Sequence, residues 1–192
     1  MIASMRGITP PDGSHTVDDL LTLPGLPTHV ELIDGELVVR GQQNVFHSVA
    51  VDLLADGLRA DRPTELKVSR QMTVVLDERN GLEPDVSVIR AEAVIGPDQM
   101  CYQAEDVALA VEVVHPGSES RDRITKPPKY AAAGIPCFWR VEMAEETGRP
   151  VVHTHELDPV TEAYVSTGTH RDRIAADEPY PIDIDLTAID EL

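Results

Sequence analysis

The eight residues Val107-Ala108-Leu109-Ala110-Val111-Glu112-Val113-Val114 constrain this chain more than any other stretch. Nearly every position is apolar, so the segment lacks the alternation of a half-solvated strand and reads as a central strand buried on both faces. One carboxylate interrupts it. A lone buried ion costs on the order of several kcal/mol unless a cation or metal compensates, so Glu112 requires a partner from elsewhere in the chain.

The other elements read outward from that strand. Thr16 is a candidate N-cap for a short helix through Leu20 and Leu23, with Asp18 and Asp19 in its first turn and Pro24-Gly25 at its end. Val30-Ile33 and Glu36-Val39 flank Asp34-Gly35, a strong hairpin signal. Val45, Val49, Leu53, Leu54 and Leu58 recur at helical spacing over residues 45–60. Residues 66–76 read as one extended segment, Asn80-Gly81 as a turn, and Pro84-Asp85-Val86-Ser87-Val88-Ile89 as a strand with its proline at the start. Pro127-Pro128 places the start of the next helix near residue 127, with Lys126 at its N-terminus and Gly134 beyond its end. Residues 137–142 form another strand, 151–166 an antiparallel hairpin, and Ile182, Ile184, Leu186 and Ile189 are spaced to pack back on the body.

At 192 residues with 42% hydrophobic content, the expected organisation is a leader over residues 1–14 and one domain over 15–192. The chain has no apolar run of about 18 residues and no basic segment leading into an apolar stretch at its start, so a cytoplasmic protein without a membrane span is expected. Cys101 and Cys137 read as reduced thiols, Cys137 as a core residue. The formal charge of −18 argues against broad nonspecific binding of nucleic acid. A basic run including Arg121, Arg123, Lys126 and Lys129 still makes one face less negative, and it reads equally as a phosphate contact or a solvated surface.

Two carboxylates on strand ends, Asp85 and Glu112, and the ammonium of Lys126 form a set suited to metal-assisted cleavage of a phosphodiester. A hard divalent cation takes carboxylate and carbonyl oxygens and acidifies a bound water, and a lysine steadies charge developing in the transition state. Lys129 competes for the lysine role. Glu31 reads equally as a third site carboxylate or an exposed hairpin charge. His47 reads as a packing or surface residue, and His153 with His155 as a solvent-facing alternation, since no Cys or carboxylate completes a credible ligand set.

The ordered set Glu31-Leu32-Ile33-Asp34-Gly35-Glu36, His47, Pro84-Asp85-Val86, Val111-Glu112-Val113, Asp122-Arg123 with Lys126, and Tyr130-Ala131-Ala132-Ala133-Gly134-Ile135-Pro136 before Trp139-Arg140-Val141 resembles the Uma-two family of restriction endonucleases, within the PD-(D/E)xK nuclease superfamily. The resemblance runs over about residues 16–190. It implies a restriction-endonuclease-like α/β fold: a central mixed β-sheet flanked by helices, with an N-terminal hairpin and a C-terminal antiparallel hairpin. It also implies an Mg²⁺- or Mn²⁺-dependent endonuclease acting on DNA, in which Asp85, Glu112 and the Val113 carbonyl hold the metal. Lys126 replaces the lysine that the superfamily places two residues after the second carboxylate, where this chain has Val114, and Glu31 adds a carboxylate. Cleavage of this type leaves a 5′-phosphate. Cutting both strands of a duplex favours a homodimer. The competing reading is the same fold without catalysis, as a binding or scaffold protein.

Overall fold

The computed structural model describes residues 14–191. Of the leader expected over residues 1–14, only Ser14 falls within that range. In chain order the strands are β1 (Val30–Ile33), β2 (Glu36–Val39), β3 (Leu66–Arg70), β4 (Thr73–Asp77), β5 (Asn80–Leu82), β6 (Val86–Arg90), β7 (Cys101–Gln103), β8 (Val107–Val113), β9 (Cys137–Met143), β10 (Pro150–Asp158), β11 (Ala163–His170), β12 (Arg173–Ala176) and β13 (Ile182–Asp185). The α-helices are α1 (Val17–Thr22), α2 (Val45–Ala60) and α3 (Lys126–Ala132).

Local chemistry accounts for several of these elements. Thr16 and Asp19 form a reciprocal capping box at the start of α1. The β1–β2 hairpin turns on Asp34 at φ 52° and Gly35 at φ 84°, the left-handed pair that a two-residue hairpin needs. Asn44 caps α2 by accepting from the His47 amide at 2.9 Å.

The expected mixed sheet is present, with strand order β11-β10-β9-β8-β6-β3, antiparallel except where β8 runs parallel to β9. One face packs Val86, Val88, Leu109, Val111 and Trp139 against Ala50, Leu54 and Leu58 of α2 and Ile182 and Ile184 of β13. Leu54 and Leu58 are fully buried, and truncating either to alanine costs about 2–5 kcal/mol. Gly57 permits the close approach of α2, since a Cβ there would lie 2.7 Å from Ile184 Cδ1. The opposite face is covered by α3 together with a second sheet, ordered β2-β1-β5-β4-β7. Ile89, Ala110 and Phe138 there meet Ile33, Val74, Leu82 and Tyr130. The central strand β8 is thus enclosed on both sides, as its composition requires.

Three local expectations are corrected. The extended segment 66–76 breaks at Gln71, whose φ of 50° sends β3 into the first sheet and β4 into the second. Asn80-Gly81 belongs to strand β5, and the turn lies just before it. Helical structure also begins earlier than residue 127: a π-helical turn, Arg121–Thr125, leads directly into α3. Pro127 and Pro128 lack the amides that an α-helix would aim at the carbonyls of residues 123 and 124. The wider turn shifts the pattern by one, with the Lys126 amide donating to the Arg121 carbonyl. Among the described residues, no helix is long and apolar enough to cross a membrane.

Candidate active site

The π-turn and α3 bring Asp122, Lys126 and Tyr130, spaced four apart, over the C-terminal end of β8. Lys126 Nζ lies 3.0 Å from Glu112 Oε2, 2.9 Å from Glu31 Oε1 and 3.1 Å from Asp122 Oδ1, with its side chain 2% exposed. The Tyr130 hydroxyl donates to Glu112 Oε1 at 2.6 Å. Both oxygens of the strand carboxylate are therefore engaged from α3.

Asp85 stands immediately before β6, where its own amide donates to the Val111 carbonyl at 3.0 Å. Its Oδ2 accepts from the Val113 amide at 2.7 Å. Its Oδ1 meets Arg40 Nη2 at 2.5 Å and His47 Nε2 at 3.1 Å. Arg40, at the end of β2, also donates to the Glu83 carbonyl at 3.2 Å. Glu31 Oε1, already beside Lys126, accepts the Glu83 amide at 3.0 Å, so one carboxylate ties the lysine to the chain segment that carries Asp85. His47 sits edge-on to His115, with ring centroids 5.5 Å apart.

Charge in this cluster is unevenly compensated. Glu31, Glu83, Asp85, Glu112 and Asp122 are all buried, while the permanent cations in contact with them among the described residues are Lys126 and Arg40. Burial works against the charge of Asp85, yet His47 and Arg40 outweigh it and hold its carboxyl well below the usual range. Glu112 goes the other way. Burial raises its pKa well above the ordinary carboxylate value; Lys126 opposes the rise, and the neighbouring Asp122, Asp85 and Glu31 add to it. Burial also disfavours charge on Lys126, but Glu112, Glu31 and Asp122 reverse the effect and hold its pKa above that of an ordinary lysine.

The structure brings together Asp85, Glu112, Lys126 and Glu31, four residues from four separate segments. Val113 joins them through its amide, which binds Asp85. Glu31 is 1% exposed and is therefore no surface hairpin charge. Lys129 points elsewhere and pairs with Asp34 at 2.5 Å, which leaves Lys126 as the site lysine by position. His47 is buried against Asp85, beyond the packing role its helical position suggests. Arg40, Glu83, Asp122 and Tyr130 were not assigned site roles from sequence. Asp122 and Tyr130 carried a usable signal, since each lies four residues from Lys126; Arg40 and Glu83 carried none, because their contacts are set by tertiary packing.

The donor set fits a hard divalent cation. It offers carboxylate oxygens in a buried cluster whose carboxylates outnumber its fixed cations. Among the described residues, no group of three or more His, Cys, Asp or Glu side chains is arranged to hold a metal by itself. A surface cavity of about 260 Å³, lined by Thr28, His29, Arg40, Gly41, Gln42 and Gln43, opens beside Arg40.

Comparison with protein families matches residues 17–188 to Uma2, described as "Putative restriction endonuclease". Among solved structures, a crystal structure described as a "putative nuclease belonging to DUF820" from Anabaena variabilis is similar over 92% of each chain, with a TM-score of 0.62 and 14% sequence identity. At that identity the likeness speaks for the fold. Comparison with curated proteins gives no match.

Proposed function

Since the chain belongs to the Uma2 family, we propose that it is a metal-dependent endonuclease hydrolysing phosphodiester bonds of DNA. The single observation that carries this reading is the convergence of Asp85, Glu112, Glu31 and Lys126 in one buried cluster with an excess of carboxylates. Asp85 and Glu112, with the Val113 carbonyl, would hold Mg²⁺ or Mn²⁺, which when bound polarises a phosphoryl oxygen and acidifies water.

The chain's own residues set the conditions for this chemistry. Tyr130 fixes one oxygen of Glu112 and Lys126 the other, so the carboxylate cannot rotate freely. The Val113 amide and Arg40 do the same for Asp85. Lys126 places a permanent positive charge among the carboxylates, where it can stabilise a phosphorane-like transition state or orient a nucleophile by hydrogen bonding. Arg40 borders the adjacent cavity, with its guanidinium held inward by Asp85 and Glu83. A homodimer would supply two such sites for the two strands of a duplex, and the two free cysteines suit a cytoplasmic setting.

One observation favours the second reading, a nuclease-fold binding or scaffold protein without catalysis. Lys126 is engaged by three carboxylates at once, and such a closed cluster could serve structure alone. Incubation with supercoiled plasmid and Mg²⁺ or Mn²⁺ separates the two. Nicking or linearisation by the wild type, absent with EDTA and lost in Asp85→Ala, Glu112→Ala and Lys126→Ala, supports the endonuclease. No cleavage by folded wild type supports the second reading, and equal cleavage by the variants removes these residues from the mechanism.

A further inference from the structure

A row of paired residues leads from the candidate site to the surface. Strand register places Glu112 opposite Arg140, Arg140 opposite His153, and His153 opposite Thr169. Cross-strand partners share a face, and neighbouring strands lie about 4.8 Å apart, so the row extends roughly 14 Å outward from Glu112. Its exposure rises along the way. Glu112 is fully buried, the Arg140 side chain is 24% exposed and Thr169 is exposed.

This row is basic in an otherwise acidic chain. Arg140 Nε donates to Glu142 at 2.8 Å, and Arg123 grips the same carboxylate with two bonds of 3.0 Å. Two guanidiniums thus share the Glu142 carboxylate, with Glu119 a further acid near Arg123. Arg171 follows the end of β11; burial chiefly disfavours a charge on His153, and Arg140 and, more weakly, Arg171 add to the effect. The basic run anticipated over residues 121–129 is meanwhile dispersed, with Lys126 buried and Lys129 bound to Asp34. Arg123 is its member that joins the row.

We propose that Arg140, Arg123, His153 and Arg171 form a track for the sugar-phosphate backbone of the nucleic acid flanking the scissile bond, with Glu142 as an internal competitor for the phosphates. The proposal rests on the endonuclease reading and adds the path of the substrate. Charge complementarity carries it: a chain of net charge −18 repels nucleic acid over most of its surface, and this row places the Arg140 guanidinium in register with the site, with Arg123 on the same Glu142 carboxylate. Arginine suits phosphate because its planar fork donates in pairs. Glu142 occupies those forks in the free protein, and a phosphate arriving there exchanges one acceptor for another.

The test is fluorescence anisotropy of a short labelled duplex and its single strand, with EDTA to prevent cleavage, over a series of salt concentrations. Arg140→Gln and Arg171→Gln weaken binding severalfold, and each lost contact to duplex lowers the slope of log K against log salt by about 0.9. Glu142→Gln tightens binding by releasing two guanidiniums. Arg90→Gln, at the far end of β6, changes nothing. If the wild type binds and the row variants, Glu142→Gln included, match it, the track is wrong and the endonuclease reading stands. If the wild type binds neither strand form at the lowest salt, the track is overturned, and plasmid cleavage with Mg²⁺ decides the endonuclease reading separately.

Discussion

Lys126 and Glu112 lie 3.0 Å apart with side chains 2% and 0% exposed, an ion pair closed off from solvent and shared with Glu31 and Asp122. Its members come from a helix, two strands in different sheets and a π-turn. The pair therefore fastens α3 over the end of β8, besides any part it plays in chemistry.

Replacing Lys126 with Met keeps most of the side-chain volume and leaves three buried carboxylates without their shared cation. Breaking a buried pair in this way costs about 3–5 kcal/mol. Urea denaturation at neutral pH should show that loss, and lowering the pH should recover part of it as the carboxylates take up protons.

Glu112 gives an unusual pH dependence. Its folded pKa is raised by burial, so its contribution to stability is fully present below the unfolded value of about 4.3 and is lost as pH rises through the folded value. Asp85, with a depressed folded pKa, contributes in the opposite sense, and its share is lost only as pH falls well below 3.8. Glu112→Gln removes the first dependence. Its unfolding free energy should decline less than that of the wild type between mildly acid and neutral pH in a urea series.

At the alkaline end Tyr180 sets a further limit. Burial pushes its hydroxyl up to about 12, and the hydroxyl donates to the Leu58 carbonyl at 2.5 Å, tying the tail to α2. Because the folded pKa is raised, this stability is intact below about pH 10 and disappears as pH climbs toward 12, on the order of 2 kcal/mol in all. Thermal unfolding of Tyr180→Phe across that range should be flatter than that of the wild type, with the hydrogen bond already absent at neutral pH.

What could be read in advance was local. The Asp34-Gly35 hairpin, the α2 periodicity and the apolar β8 each signal their own structure within a few residues. The break at Gln71 gave no such sign, because the extended pattern continues through it and a positive φ at glutamine is imposed by the two sheets it joins. Site residues followed the same division. Glu112 announced itself as the one charge in an apolar strand, and Asp85 as the acid after a strand-opening proline. Arg40 reads as a hairpin end until Asp85, 45 residues away, is folded against it. Asp122 and Tyr130 share a helical spacing with Lys126, yet the two prolines obscured the turn that brings Asp122 into line.

Titration calorimetry with Mn²⁺, repeated in buffers of different ionisation enthalpy, tests the central claim most directly. Asp85 and Glu112 as metal ligands predict saturable binding by the wild type accompanied by proton release, since burial raises the pKa of Glu112 and a bound cation favours its ionised form. Asp85→Asn combined with Glu112→Gln should abolish both. Equal heats and equal proton release from the wild type and the double variant would contradict the account.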